Sequence, residues 1–476
     1  MQRLKSKIMK KETDKEVFPF NILVINLDKL LYEEQNGIIN NPWKIDTLED
    51  ILNHIEDNYP DKLQEQVFKV KDAIQQEAER VWYQNNAWGL LAMATGTGKS
   101  KIPINILSKV FHNKALISKL KEPLSIVDKM SLTMKQIVKV LLIVPTEKLR
   151  DENWREEFAK WSELQLYDTC IDRTCYASLD NVENKEFDLV IGDEWHNFTA
   201  AKMPFFKNNK VHRLICLTAT PPNPDKDILK IQLNKQLSIK TIYEVPLDIA
   251  VRLKLVAPYD VTIVECRLDD ITKNVVGGTK AAPFMTTEKQ AYDYKTKLVN
   301  TAMYSRTPAM KKVLKFRILD RMRFLKNLDS LSKNTIFILN NFIKPEERTL
   351  IFCGGIPQAE KVCQFTFHSK TNDRDFEDFK NKKISRLACV SALNEGQNID
   401  GIETIICVCP ESGDKTLTQQ IGRGIRFAVG HRCRVILIII TDTMSEKWME
   451  KAIVNLDPSK FRRVRFANLI NNVETI

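Results

Sequence analysis

Residues 90–104 read LLAMATGTGKSKIPI. A short apolar run enters Ala-Thr-Gly-Thr-Gly-Lys-Ser, residues 94–100, and a helix-like segment leaves it. Gly96 and Gly98 let the backbone turn tightly, so that successive N–H groups converge on one anion. A helix starting just beyond adds its positive N-terminal end. In this pattern Lys99 reaches the β- and γ-phosphates, the Ser100 hydroxyl ligates Mg²⁺, and Thr95, Gly96, Thr97 and Gly98 line the turn. The strict pattern G-x-x-x-x-G-K-[ST] is short of one residue, because Met93 stands where its first glycine belongs.

Working outward, seven apolar runs have the composition of buried parallel strands: WGLLAMA, VKVLLIVP, FDLVIGD, VHRLICLTA, RTLIFCG, TIICVCP and RVILIIIT. Helix-like segments separate most of them, which predicts an α/β chain with doubly wound parallel sheets. The runs fall into two groups, residues 66–245 and 246–456. Residues 1–65 are expected to be a small helical extension and 457–476 a C-terminal tail. A helical insertion over 282–342 interrupts the second group. Within it Met310, Leu314, Ile318, Met322 and Leu325 recur at helical spacing, with Lys312, Lys315, Arg323 and Lys326 on the flank. Residues 301–345 hold ten Lys or Arg against two Asp or Glu. The apolar stripe is expected to dock on the body. The exposed cations are then either a solvated face or phosphate contacts through Lys315, Arg323 and Lys326.

Composition narrows the class. Of 476 residues, 43% are hydrophobic, so a large core is available. Lys and Arg outnumber Asp and Glu by 72 to 61, a formal charge of +11 that favours a polyanionic partner. No apolar run is long enough to span a bilayer. The ten cysteines lack zinc-site spacing and read as buried reduced thiols, pointing to a reducing, cytoplasmic setting.

Three further stretches carry chemistry. FDLVIGDEWHNF ends an apolar strand in Asp193-Glu194-Trp195-His196. Carboxylates at the carboxyl end of a parallel strand sit where α/β sheets bind ligands. Asp193 suits a Mg²⁺ ligand and Glu194 an activator of water. LICLTATPP ends in Thr218-Ala219-Thr220, hydroxyl groups able to sense a γ-phosphate beside Glu194. LTQQIGRGIR places Arg423 and Arg426 three apart, on one face if both are helical, in reach of that phosphate.

The ordered set A-T-G-T-G-K-S, D-E-W-H, T-A-T and Q-Q-I-G-R-G-I-R resembles the superfamily-two helicases of the D-E-x-H branch, which include type I and III restriction motors and many phage helicases. The resemblance spans most of residues 70–450. It implies two RecA-like lobes in tandem, with ATP and Mg²⁺ in the cleft between them. Lys99, Asp193, Glu194, Gln419, Arg423 and Arg426 would then be catalytic. An upstream glutamine reads adenine in this family, and Gln75 or Gln76 could serve. The family's nucleic-acid segments are matched by Pro145 and Thr146, by Tyr176 and Ser178, by Ser369 in TFHSKT, and by Ser391. Thr218, Thr220, Gly396 and Asn398 match its coupling segments. The chain departs from the family at Gln420, where an arginine is usual, and at Asn398, where many relatives carry aspartate.

The function implied is an ATP-dependent DNA helicase or translocase, for phage or mobile-element replication, recombination or repair. Its partner would be single-stranded or branched DNA, with no membrane; the oligomeric state is left open, a monomer being one option. An RNA helicase with the same motor, and a nucleic-acid-binding module without useful ATPase, are the other readings. The intact Lys99, Glu194 and Arg423 speak against the last.

Overall fold

The computed structural model describes residues 20–476 except 34–36, 113–138, 280, 306, 391–398, 411–413, 427, 455 and 472. Six runs form a first parallel sheet: β1 (Trp88–Met93), β2 (Val140–Val144), β3 (Ile171–Cys175), β4 (Leu189–Gly192), β5 (Leu214–Thr218) and β6 (Thr241–Val245). Their spatial order is β3-β2-β4-β5-β1-β6. Every residue of β2, β4 and β5 is buried, as expected of central strands covered by helices on both faces. The turns after β1, β4 and β5 therefore open on one carboxyl edge. That brings residues 94–100, Asp193-Glu194 and Thr218–Thr220 together.

A second sheet holds β7 (Tyr259–Cys266), β10 (Thr349–Phe352), β11 (Thr366–Phe367), β12 (Arg386–Cys389), β13 (Thr404–Val408), β14 (Cys433–Ile440) and β15 (Phe461–Arg465). It runs β11-β12-β10-β13-β14-β7-β15, parallel throughout. Between β7 and β10 stand an antiparallel hairpin, β8 (Val275–Thr279) with β9 (Ala282–Thr286), and helices Glu288–Tyr304, Pro308–Lys326 and Asp329–Asn341.

Three expected boundaries move. The helix Pro60–Gln84 runs straight through residue 65, because Val67, Val70, Ile74 and Ala78 keep one buried face against the first sheet. The segment expected as a tail instead supplies β15, whose register with β7 buries Val464. The insertion starts with the hairpin at Val275, ahead of 282. Arg252, following the first sheet, pairs with Asp46 at 2.6 Å and Glu49 at 2.7 Å on the helix Pro42–Asn58, which ties the N-terminal helices to the first lobe. Among the described residues no helix is long and apolar enough to cross a membrane.

Candidate active site

The loop after β1 turns through left-handed backbone at Gly96 (φ 90°) and Gly98 (φ 82°), and a Cβ on Gly98 would strike the Gln75 amide. Two side chains of the helix Pro60–Gln84 hold this loop from behind. Lys71 Nζ donates to the Gly96 carbonyl at 2.6 Å, and Gln75 Nε2 donates to the carbonyls of Thr97 (3.0 Å) and Gly98 (3.3 Å). Four residues apart, both lie on one helical face. Pinning three carbonyls outward, with the Thr97 N–H turned back to the Ala94 carbonyl at 3.3 Å, leaves the remaining N–H groups of the turn to face an anion. Burial first, then the nearby Lys160 and Arg426 charges, push the Lys71 ammonium down to about 8. Sequence reasoning missed Lys71, since its meaning depends on which loop crosses that face. Lys71→Met should weaken nucleotide binding by roughly tenfold, the worth of one charge-assisted hydrogen bond, with unchanged circular dichroism. Titration of a fluorescent ATP analogue checks this, and parental affinity would remove Lys71 from the site. Gln76, the other glutamine expected at adenine, turns to Asp72 at 2.7 Å, whereas Gln75 Oε1 is buried with no hydrogen-bond partner among the described residues.

Across the edge, Asp193 is buried. Its Oδ1 accepts from the Glu194 N–H and its Oδ2 from Trp154 Nε1, each at 2.9 Å. Burial and the neighbouring Glu194 charge hold its carboxyl above the usual range. Glu194, in left-handed backbone (φ 45°), receives Lys99 Nζ at 2.7 Å and faces His196 Nδ1 at 3.4 Å. Burial opposes its ionisation, but Lys99, His196 and Arg423 outweigh it and keep the carboxyl below its ordinary value. The Thr218 hydroxyl lies 3.5 Å from His196 Nδ1 and accepts from the Thr220 N–H at 3.2 Å. His196 Nδ1 thus lies between Glu194 and the Thr218 hydroxyl, which in turn holds Thr220. Among the described residues no three His, Cys, Asp or Glu side chains gather into a metal cage. A cation here would be Mg²⁺-like, held by Ser100 and Asp193 and completed by phosphate and water. The residues fit such an ion, since among the described residues each Asp193 oxygen accepts one hydrogen bond.

Trp195, unusual in the middle of this box, has a structural reason. It stacks on Phe198 with centroids 4.5 Å apart, donates from Nε1 to Asn234 at 3.0 Å, and is 1% exposed. The indole anchors the turn that aims both carboxylates. Trp195→Ala should cost about 3–5 kcal/mol of stability, read as a fall in the urea midpoint. A midpoint at the parental value would contradict that anchoring role.

The second lobe closes the site with the helix Asp414–Gly424. A Cβ on Gly422 would meet Thr95 at 2.8 Å, so this helix touches the cradle itself and only glycine permits the approach. Gln419 and Arg423 are both buried there, and among the described residues Gln419 Nε2 has no hydrogen-bond partner. Arg423 is close enough for its charge to act on Glu194. Arg426 does not share that helical face. The helix ends at Gly424, because Ile425 O accepts from Ala257 N at 2.7 Å and Arg426 pairs antiparallel with Val256. Arg426 Nη1 contacts Asp400 at 2.9 Å, and its charge acts on Lys71.

The nucleic-acid candidates divide. Thr146 is exposed and caps the turn behind it by accepting from Leu149 N at 3.3 Å, with Pro145 half-buried beside it. Ser178 and Ser369 are exposed. Lys148, next to Thr146, pairs across the cleft with Asp373 at 2.7 Å, so the Thr146 and Ser369 segments border one cleft. Tyr176 is not a surface contact: it is buried, donates to the Asp193 carbonyl at 2.8 Å and packs edge-on against Trp195 and Phe198. A phenol inside an aromatic cluster satisfies its hydroxyl on the nearest carbonyl, and here that steadies the acidic turn. Lys326 is buried with its stem against Gly354, so its expected phosphate contact fails. Lys315 and Arg323 are exposed. The expected apolar stripe is also incomplete, for Leu325 is fully buried while Ile318 is 42% exposed. Ser391, Gly396 and Asn398 lie outside the described residues.

Comparison with known proteins agrees with this geometry. The family described as type III restriction enzyme, res subunit, matches residues 40–223, and the helicase conserved C-terminal domain matches residues 326–428. The Schizosaccharomyces pombe protein irc3, named as a mitochondrial ATP-dependent helicase, is 34% identical over 102 residues, covering 19% of this chain and 17% of that protein. In structure the chain is similar to the ATP-dependent type ISP restriction-modification enzyme LlaBIII bound to DNA. There the TM-score is 0.50 at 16% identity, over 82% of this chain and 31% of that one. It is also similar to Saccharomyces cerevisiae Dbp5 bound to RNA and ADP BeF3, with a TM-score of 0.47 at 14% identity, over 84% and 91% of the two chains. The chain thus spans 17% of the curated relative and 31% of the restriction enzyme. Both family matches fall in order on two RecA-like lobes that meet over one loop: the first lobe matches the type III restriction enzyme res subunit family and the second the helicase conserved C-terminal domain, the two domains of an ATP-dependent helicase.

Proposed function

We propose that this protein hydrolyses ATP to ADP and phosphate in the cleft between the lobes and uses the cycle to move along DNA. The observation that carries the reading is the contact of Gly422 with Thr95, which sets buried Gln419 and Arg423 of one lobe over the cradle of the other. The Gly96–Ser100 turn with Lys99 binds the phosphates. Ser100 and Asp193 would hold Mg²⁺, which supplies charge neutralisation at the phosphate oxygens. A phosphate that takes Lys99 away from Glu194 removes the cation holding that carboxylate's pKa down. Glu194 then becomes the stronger base toward an attacking water, with Arg423 positioned to stabilise charge as the bond breaks. Loss of the phosphate is relayed through His196, Thr218 and Thr220. Exposed Thr146, Ser178 and Ser369 are assigned to the nucleic-acid backbone.

DNA is favoured over RNA because the first lobe matches a restriction-enzyme family. The test is the ATPase rate with single-stranded DNA, duplex DNA, forked DNA and RNA side by side. At least one DNA form should stimulate hydrolysis by about tenfold or more. No stimulation by any of them would overturn the motor, and stimulation by RNA alone would reassign the track.

A further inference from the structure

We infer that the paired helices Glu288–Tyr304 and Pro308–Lys326 form an arm that grips single-stranded nucleic acid by stacking a base on Phe316 between flanking cations. This rests on the motor reading above and adds to it a second contact surface, outside the cleft.

The arm is rigidly rooted. Glu288, fully buried, accepts from Ser330 N (3.1 Å), Ser330 Oγ (2.6 Å) and Asp269 N (3.2 Å). Tyr292 OH accepts from Met444 N at 2.9 Å, and Leu325 and Leu328 enter the second lobe's core. The root also packs on the turn after β10, where a Cβ on Gly354 would meet Lys326 at 2.7 Å and one on Gly355 would meet Asn327 at 2.8 Å. The arm therefore leaves the second sheet from its carboxyl edge, the same edge that presents Ser369.

Away from the root its surface is wrong for a helix that only faces water. Pro308–Lys326 carries seven Lys or Arg and one Asp. That Asp, Asp320, is taken by Lys295 at 2.7 Å. Lys312, Lys315, Phe316 and Arg323 follow one another at steps of three, one and seven, so they line one helical face. All four are exposed, and Phe316 is 75% so. Tyr304, at the end of the partner helix, is 79% exposed. One exposed ring alone is ordinary on a surface; what marks Phe316 is the three cations that share its helical face. Aromatic rings set among cations match unpaired bases on a phosphate chain, and stacking on them is indifferent to sequence. Stacked bases inside a duplex offer no free face, so the surface selects single strands.

The full-length protein is titrated with a fluorescent thirty-nucleotide oligothymidine and with the matching duplex. Phe316→Ala should weaken single-strand binding about tenfold, within the range for one stacked base. It should leave duplex binding and the salt slope unchanged, and Phe316→Tyr should restore affinity. Replacing Lys312, Lys315 and Arg323 with Gln should flatten the slope of log affinity against log salt by about 0.7 per lost contact. Parental affinity for Phe316→Ala, together with a parental slope for the triple variant, would overturn the inference. That result leaves the motor reading standing if the parent's ATPase still responds to nucleic acid. A Phe316-dependent dimer in sedimentation, with single-strand affinity unchanged, would assign the patch to a second copy and equally overturn it.

Discussion

Glu194→Gln will bind ATP at least as tightly as the parent and hydrolyse it at least about a hundredfold more slowly. The slow step loses its base, and positioned acid–base groups contribute on the order of 10²–10⁴ in rate. The cradle does not depend on that carboxylate, because Lys71 and Gln75 hold its carbonyls and Gly96 and Gly98 set its turn. Binding gains, since Lys99 no longer has to leave an anion 2.7 Å away to meet the phosphate. Gln keeps the shape of Glu beside Trp195 and His196, so a folding defect does not confuse the result. Equilibrium binding and single-turnover hydrolysis measure the two effects apart. Hydrolysis at the parental rate would mean that another group activates the water.

Arg423→Ala will cut ATP turnover by about a thousandfold, the lower end of what a charge-stabilising arginine supplies. Nucleic-acid affinity without ATP should stay near the parental value. Arg423 is 6% exposed, lies on the helix that touches Thr95, and acts on Glu194 across the interface. Its planar guanidinium addresses phosphate oxygens in pairs, so Arg423→Lys should recover little. Arg426→Ala should be milder, because that residue is engaged with Asp400 and lies past the helix end at Gly424. The ranking is checked by kcat at saturating ATP and nucleic acid for the three variants, with thermal melting to confirm folding. Equal losses for Arg423→Ala and Arg426→Ala would return the two arginines to one shared role.

The linear sequence determined everything that is local. The seven apolar runs became buried strands because three to six consecutive apolar residues bounded by polar residues and breakers have few other homes. The cradle was legible because two glycines, a lysine and a hydroxyl between a strand and a helix perform one task. The acidic box was legible because it ends a strand. Two of the strands that escaped notice have a diluted apolar signal. Ile171–Cys175 reads Ile-Asp-Arg-Thr-Cys and its edge position leaves Asp172 and Arg173 exposed, while Phe461–Arg465 carries three arginines on a sheet edge. Their pairing partners lie far away in the chain and no local pattern announces them.

Only the tertiary structure decided which polar residues face a ligand and which serve the fold. Tyr176 and Lys326 sit in segments that match or flank functional motifs, yet both are buried, since packing against Trp195 and Gly354 uses their side chains first. Lys71 looked like any surface lysine of an amphipathic helix until the cradle loop crossed it. Arg423 and Arg426, three apart in the chain, were separated because the backbone leaves the helix between them to pair with Val256 and Ala257. Spacing fixes geometry only while one regular element persists, and here pairing with a distant segment ends it.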